Sequence, residues 1–381
     1  MTMGPDYGAR LDRARRSLAG TGDAALLIGL GADLRYLTGY DPHALERLTM
    51  LVLQAEGRTV LVAPRLETMA AEACAAAASG HLDVVAWYDA DDPYALVAER
   101  LGAAGTGTSG RLLVDAALPA RHLLALERAL PGSTFGLATE VLRPLRTVKD
   151  AWEIERLRAA AHAADRVVAQ IAAGRLVGRT EAEVSREVRD RLVAEGHEAA
   201  TFAIVASGPN GASPHHEANE RRIEPGEPIV LDIGGTLDGY GSDITRMLWV
   251  TGGLPLHEPT APFVEAFELV RRAHRAATVA VRPGAICGDL DAAARDVVRN
   301  GGMGDRFIHR LGHGIGLEGH EEPYLVAGNP ETIEAGNAFS IEPGVYLPGQ
   351  FGIRIEDIVV CTRDGVDVLN EASRDLLVVP G

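Results

Sequence analysis

Residues 229–249 read IVLDIGGTLDGYGSDITRMLW. Ile229-Val230-Leu231 is the entry of a buried strand, and Asp232 ends that apolar run. A carboxylate there costs several kcal/mol unless it is paired or bound to a cation. Gly234, Gly235, Gly239 and Gly241 are expected to let the chain turn back, and Asp243 to open the returning strand ahead of Ile244, Met247 and Leu248. Such a hairpin sets two carboxylates side by side, where like charges need a cation or a proton between them. Two aspartates serving a turn or a helix cap are the plain alternative.

Three further segments decide between these readings. Residues 309–323, HRLGHGIGLEGHEEP, place His309, His313 and His320 among glycines and a proline. Gly312 and Gly314 flank His313, which suits a ligand that must approach an ion without crowding. In AFSIEPG, residues 338–344, Glu342 ends an apolar strand before a Pro-Gly turn. In FGIRIEDIVV, residues 351–360, Glu356 sits among isoleucines of a strand. Arg354 lies two residues before it, on the same face of the pleat, so a local salt bridge is the competing account of Glu356. Two aspartates, two glutamates and a histidine form a hard, oxygen-rich donor set that suits Mn²⁺, with Co²⁺ or Zn²⁺ as alternatives.

The chain has 381 residues, room for two domains. Residues 1–145 alternate strand and helix signals and read as an α/β domain with a mixed sheet. Residues 24–29, 84–88 and 111–114 are expected as strands, 49–54 and 59–63 as a hairpin, and 64–78, 93–101 and 119–130 as helices. GLGADL after the first strand lacks the third glycine of a dinucleotide fingerprint and reads as a plain turn. Residues 146–381 read as an α+β domain with helices outside an antiparallel sheet. Helices are expected over 151–173, from the Thr180/Glu183 capping box to 195, over 262–281 and over 290–300, with strands from 201 and again from 338.

Net charge is −16, which disfavours a nucleic-acid partner. The first residues contain no apolar signal segment, and no apolar run approaches a membrane span. Three scattered cysteines, Cys74, Cys287 and Cys361, read as reduced thiols, and so as a cytoplasmic protein.

Taken together, the motifs resemble the metallopeptidase family that includes methionine aminopeptidase, aminopeptidase P, prolidase and creatinase. The matching contexts are GYGSDITR, GHGIGLEGHEEP, IEPG and GIRIED. The resemblance covers most of residues 146–381 and implies the pita-bread fold, an α+β catalytic domain. It places the family's metal ligands on Asp232, Asp243, His313, Glu342 and Glu356, with two divalent ions per chain. LRYLTGY, the 47–62 hairpin and LRTVKDAWEIERLRAAA are similar to the smaller α/β N-terminal domain and joint of the prolidase and creatinase branch.

In that family two histidines flank the scissile bond. They fall on His215, with His216 as a competitor, and on His320. The implied reaction is hydrolysis of the peptide bond before proline in Xaa-Pro dipeptides. Two ions lower the pKa of a shared water, and Glu342 relays its proton to the leaving nitrogen. Arg354 either clamps the C-terminal carboxylate of the substrate or balances the ligating carboxylates. Aminopeptidase P acting on longer peptides, an amidase or amidinohydrolase on the same scaffold, and a binding module that has lost catalysis are the other readings. The branch implies a homodimer in which loop 40–48, YDPHALERL, of one chain approaches the site of the other.

Overall fold

The computed structural model describes residues 4–43, 46–103, 110–253 and 256–380. The chain forms two compact units, Met1–Arg146 and Thr147–Gly381.

The first unit is a mixed six-stranded sheet flanked by helices. Its strands are β1 (Ala25–Ile28), β2 (Met50–Gln54), β3 (Thr59–Pro64), β4 (Leu82–Trp87), β5 (Gly110–Val114) and β6 (Ser133–Leu137), in spatial order β4-β3-β2-β1-β5-β6. The β2–β3 hairpin is antiparallel, as its sequence suggests. Residues 64–78 do not form one helix. A 3₁₀ turn Arg65–Glu67 and helices Thr68–Ala73 and Ala75–Ala78 are separated by Cys74, whose backbone is extended. Alanine propensity is a weak prior, and here the break lets both Ala71 and Ala76 reach the core. Gly29 of GLGADL donates its N–H to the buried Asp115 carboxylate at 2.6 Å. A side chain at Gly29 would press on Leu118 and Asp115, so packing accounts for that glycine.

The second unit holds two helix-backed sheets. Strands β7 (Ala199–Ser207), β8 (Glu227–Leu237), β9 (Tyr240–Val250) and β17 (Leu377–Val379) form the first, in order β17-β9-β8-β7. Strands β10 (Gly312–Gly314), β11 (Glu321–Leu325), β12 (Ala338–Ile341), β15 (Asp357–Thr362) and β16 (Gly365–Val368) form the second, in order β11-β10-β12-β15-β16. A ribbon of β13 (Gly344–Leu347) and β14 (Phe351–Arg354) joins them. The sheets are antiparallel except that β17 runs parallel to β9.

Alternation on β8 and β9 fixes what faces the site. Ile229, Leu231 and Ile233, with Ile244 and Leu248, pack with side chains of helices Ala151–Ala172 and Glu181–Ala194. Val230 and Met247 face the opposite core, built with helices Ala261–Ala280 and Cys287–Asn300. Each fully buried Ile or Leu contributes on the order of 1.5–3 kcal/mol. Five on one face outweigh the cost of the carboxylates that alternation puts on the other. Both helices of the first layer begin at capping boxes, Asp150/Glu153 and Thr180/Glu183.

The hairpin differs in one respect from its sequence reading. Only Asp238 and Gly239, both at positive φ, make the turn, and Leu237 pairs with Tyr240. Gly234, Gly235 and Gly241 lie inside strands. A side chain at Gly234 would meet the Ser242 carbonyl and the Phe202 ring, so close packing, not turning, excludes one there.

Candidate metal centre

Asp232 pairs with Thr245 across the β8–β9 ladder, and Gly234 pairs with Asp243. The two aspartates are therefore diagonal neighbours on one face, with the Phe202 ring filling the space that a side chain at Gly234 would take. Thr245 bridges to the second sheet: its carbonyl accepts from Glu356 N–H at 3.2 Å, and its hydroxyl donates to Glu356 Oε2 at 2.7 Å. Glu356 falls between β14 and β15, in the two-residue step Ile355-Glu356 where the chain passes from ribbon to sheet.

His313 occupies the middle of β10. Side chains at Gly312 and Gly314 would run into the backbone of Ser340 and Glu322, so both glycines are set by the closeness of β12 and β11. The Nδ1 of His313 faces the Gly314 carbonyl at 3.1 Å. Donation there leaves the Nε2 lone pair pointing at Glu342 Oε1, 3.3 Å away, and Asp243 Oδ2, 3.6 Å away. Ser340 ties the two strands, accepting from His313 N–H at 3.0 Å and donating to Glu342 Oε1 at 3.1 Å.

The five residues named from the sequence thus meet at one place. Donor atoms of Asp232, Asp243 and Glu356 lie within 4.8 Å of one another, as do those of His313, Glu342 and Glu356, and those of Asp243, His313 and His320. Asp232, Asp243, Glu356 and His313 are buried. Burial, then the charges of Asp232 and Glu342, push the Asp243 carboxyl far above its ordinary range. Burial likewise raises Glu356, with Asp243 and Glu342 adding to it, and lifts Glu342 to about 7. Burial and the neighbouring His320 hold His313 neutral, down to about 3. Among the described residues Asp232 Oδ1 is buried without a hydrogen-bond partner. Crowded carboxylates, a neutral imidazole and an orphaned carboxylate oxygen fit divalent cations.

The residues around the donors are placed as follows. His320 stacks on His313, ring centroids 3.7 Å apart. His216 donates to Glu181 at 2.7 Å and is thereby committed. His215 is exposed, and its charge is felt at His309 and His320. Arg354 is buried: Nη2 donates to Asp232 Oδ2 and to the Pro214 carbonyl, Nη1 to the Tyr346 hydroxyl at 2.7 Å, and Nε to Thr245 Oγ1 at 3.1 Å. His309 is no part of the donor groups; it packs on Tyr346, its Nε2 2.9 Å from that hydroxyl.

Three supports escaped the sequence reading. Glu181, fully buried, accepts from Ser207 N–H and Oγ at 2.7 Å each and from Asn210 and His216, and so anchors the segment that carries His215. Burial opposes its ionisation, but these bonds hold it below the usual carboxylate range. Lys149 donates to Glu321 at 2.6 Å and steadies the strand beside His320. Behind Glu356, burial is outweighed by Arg246, His274 and Arg374, which keep Asp357 ionised. Each joins residues far apart in the chain, so no local pattern marks them.

Fold and donor set together define a metal-dependent hydrolase. The chain belongs to Metallopeptidase family M24, whose model matches residues 155–363, and residues 10–148 match the Creatinase/Prolidase N-terminal domain. The probable dipeptidase PepE of Mycobacterium tuberculosis is 47% identical over 98% of this chain and 97% of its own length. The Xaa-Pro dipeptidase of Lactobacillus delbrueckii subsp. lactis is 33% identical over 97% and 99%. The crystal structure of dipeptidase PepE from Mycobacterium ulcerans superposes with a TM-score of 0.91, at 47% identity, covering 98% of each chain. The architecture is therefore a creatinase/prolidase-type α/β unit followed along the chain by a pita-bread catalytic unit. Among the described residues no helix is long and apolar enough to cross a membrane.

Proposed function

We propose that the protein is an Xaa-Pro dipeptidase that uses two divalent ions per chain, Mn²⁺ foremost. The observation that carries this reading is the convergence of Asp232, Asp243, His313, Glu342 and Glu356 around the unpartnered Asp232 Oδ1. The ions supply an activated water and a Lewis acid for the scissile carbonyl. Asp232 and Asp243 hold them from the first sheet; His313, Glu342 and Glu356 hold them from the second. Glu342, at the cavity edge with its side chain 16% exposed, takes the proton from the attacking water and returns it to the leaving nitrogen. His320, stacked on His313, and His215, on the anchored loop, donate to the substrate carbonyl and backbone. His309, held neutral at about 4 by burial and by Arg354, offers an uncharged flat ring beside Tyr346 that suits a pyrrolidine. The bonds of Arg354 support its charge-balance role over the carboxylate clamp.

The test is turnover of Ala-Pro, Ala-Pro-Ala and a non-proline dipeptide by Mn²⁺-loaded protein. Ala-Pro is expected to have the highest kcat/KM. Preference for the tripeptide would move the activity to aminopeptidase P, and turnover of none would end the peptidase proposal.

The proposal extends to a cytoplasmic homodimer. The cysteines, all free and buried, suit a reducing compartment. Of the loop expected to reach a second chain, residues 44 and 45 lie outside the described residues. Light scattering at micromolar concentration should give twice the 40.3 kDa chain mass; a monomer would remove the dimer.

A further inference from the structure

We propose that His216, held by the buried Glu181, is a positioning residue: it fixes one end of the turn at whose corner His215 stands. This rests on the dipeptidase reading and concerns how that site aims the histidine that meets the substrate. The Ser213 carbonyl accepts from His216 N–H at 3.2 Å, closing a four-residue turn with Pro214 and His215 in its middle. The residues on either side of His215 are tied to different parts of the catalytic unit. The Pro214 carbonyl accepts from Arg354 Nη2 at 3.4 Å, and the same nitrogen donates to Asp232. The His216 ring lies on the other side, its Nε2 2.7 Å from Glu181 Oε2. A carboxylate oxygen only accepts, so Nε2 is a nitrogen that carries a proton.

Glu181 is a fixed post for that ring. It is the first residue of helix Glu181–Ala194 and is fully buried. Its Oε1 accepts from Ser207 N–H and Oγ at 2.7 Å each, and both its oxygens lie 3.1 Å from Asn210 Nδ2. Its own N–H donates to the Arg221 carbonyl at 3.0 Å. One carboxylate thus collects the segment at Ser207, in the 3₁₀ turn Gly208–Ala212 and at His216. A carboxylate buried without such donors would be costly, so the contacts hold one another in place. The middle of the segment is seated on β14, where a side chain at Gly352 would run into the Gly211 carbonyl. Residues 213–217 belong to no helix or strand, so these contacts decide where His215 sits. His215 itself is exposed, and its charge is felt at His309 and His320. A donor whose two neighbours are already fixed has little left to order when substrate arrives.

The experiment measures Ala-Pro turnover by Mn²⁺-loaded wild type, His216→Ala, His216→Gln, His215→Ala and the double variant His215→Ala/His216→Ala, with metal content and melting midpoint recorded for each. For His216→Ala, kcat/KM is expected to fall about tenfold at unchanged metal content, as for one lost hydrogen bond to a charged group. In the His215→Ala background the same change should cost less than about twofold, because it acts through a side chain already removed. His216→Gln, whose amide nitrogen reaches as far as the imidazole Nε2 and can donate to Glu181, should recover most of the loss. A histidine with only a structural role would cost the same in both backgrounds, and equal losses would overturn the proposal. So would wild-type kcat/KM in His216→Ala. A second arm needs no turnover: nitrogen NMR of the histidine rings, the His215 signal being the one missing from His215→Ala. That signal should collapse toward the shift of a freely rotating histidine in His216→Ala and stay apart from it in His216→Gln. A signal equally dispersed in His216→Ala would overturn the positioning. Wild type that cleaves no Ala-Pro would take down the dipeptidase reading, and the NMR arm would still decide the turn.

Discussion

Asp243→Ala and Glu342→Ala are expected to lose bound metal and at least ~10³-fold in kcat, because activated water and carbonyl polarisation supply several kcal/mol of transition-state stabilisation. The fold should persist, since the apolar cores on either side of the site do not include these carboxylates. Full metal occupancy in both variants would sink the ligand assignment. The same site sets a pH dependence that does not involve turnover. In the metal-free chain Glu342 is raised from its ordinary 4.5 to about 7. A group raised on folding contributes its stability fully below its unfolded value and loses it as pH climbs through the folded one. The melting midpoint of metal-free protein should therefore fall between about pH 5 and pH 8, while metal-loaded protein holds its midpoint there. Asp243 and Glu356, raised in the same sense, steepen the fall. A metal-free midpoint that is flat across this window would contradict the crowding of carboxylates described above.

The second large effect concerns Arg354. Its planar fork contacts Asp232, Thr245, Tyr346 and the Pro214 carbonyl together. Arg354→Lys keeps the charge but cannot span these partners. We expect kcat/KM to fall by about 10–100-fold, the worth of one or two charge-assisted bonds. Ala-Pro and Ala-Pro amide should suffer alike, because the residue supports Asp232 and the His215 segment and does not hold the substrate's end. A loss confined to Ala-Pro would restore the clamp.

The clustering of Asp232, Asp243, Glu342 and Glu356 was legible because each carboxylate interrupts an apolar strand, where an unpaired charge is costly and its presence needs a reason. The β8–β9 hairpin was legible from the same alternation. Its glycines were misplaced: Gly234 and Gly235 resemble turn residues in sequence, yet they are demanded by Phe202, Ala199 and Ser242, which only the folded register brings near. The alanine-rich 64–78 segment failed for a related reason, since local propensity carries no information about where Cys74 must extend. Arg354 was read correctly as facing the donors, but its partners come from Pro214, Asp232, Thr245 and Tyr346, distant in the chain.

The turn at Asp238–Gly239 has a consequence for redesign. With Leu237 paired to Tyr240, the hairpin has no slack. Adding one residue to either strand would rotate every later side chain of β9 to the opposite face, exchanging Asp243 with Ile244. The spacing of Asp232 and Asp243 is thus not an adjustable parameter of this scaffold. The segment bearing His215, by contrast, is largely solvent-facing and moored at points such as Glu181 and Arg354. Attempts to retarget the enzyme should leave the hairpin untouched and vary length and composition there, changing which molecules are admitted without retuning the reaction.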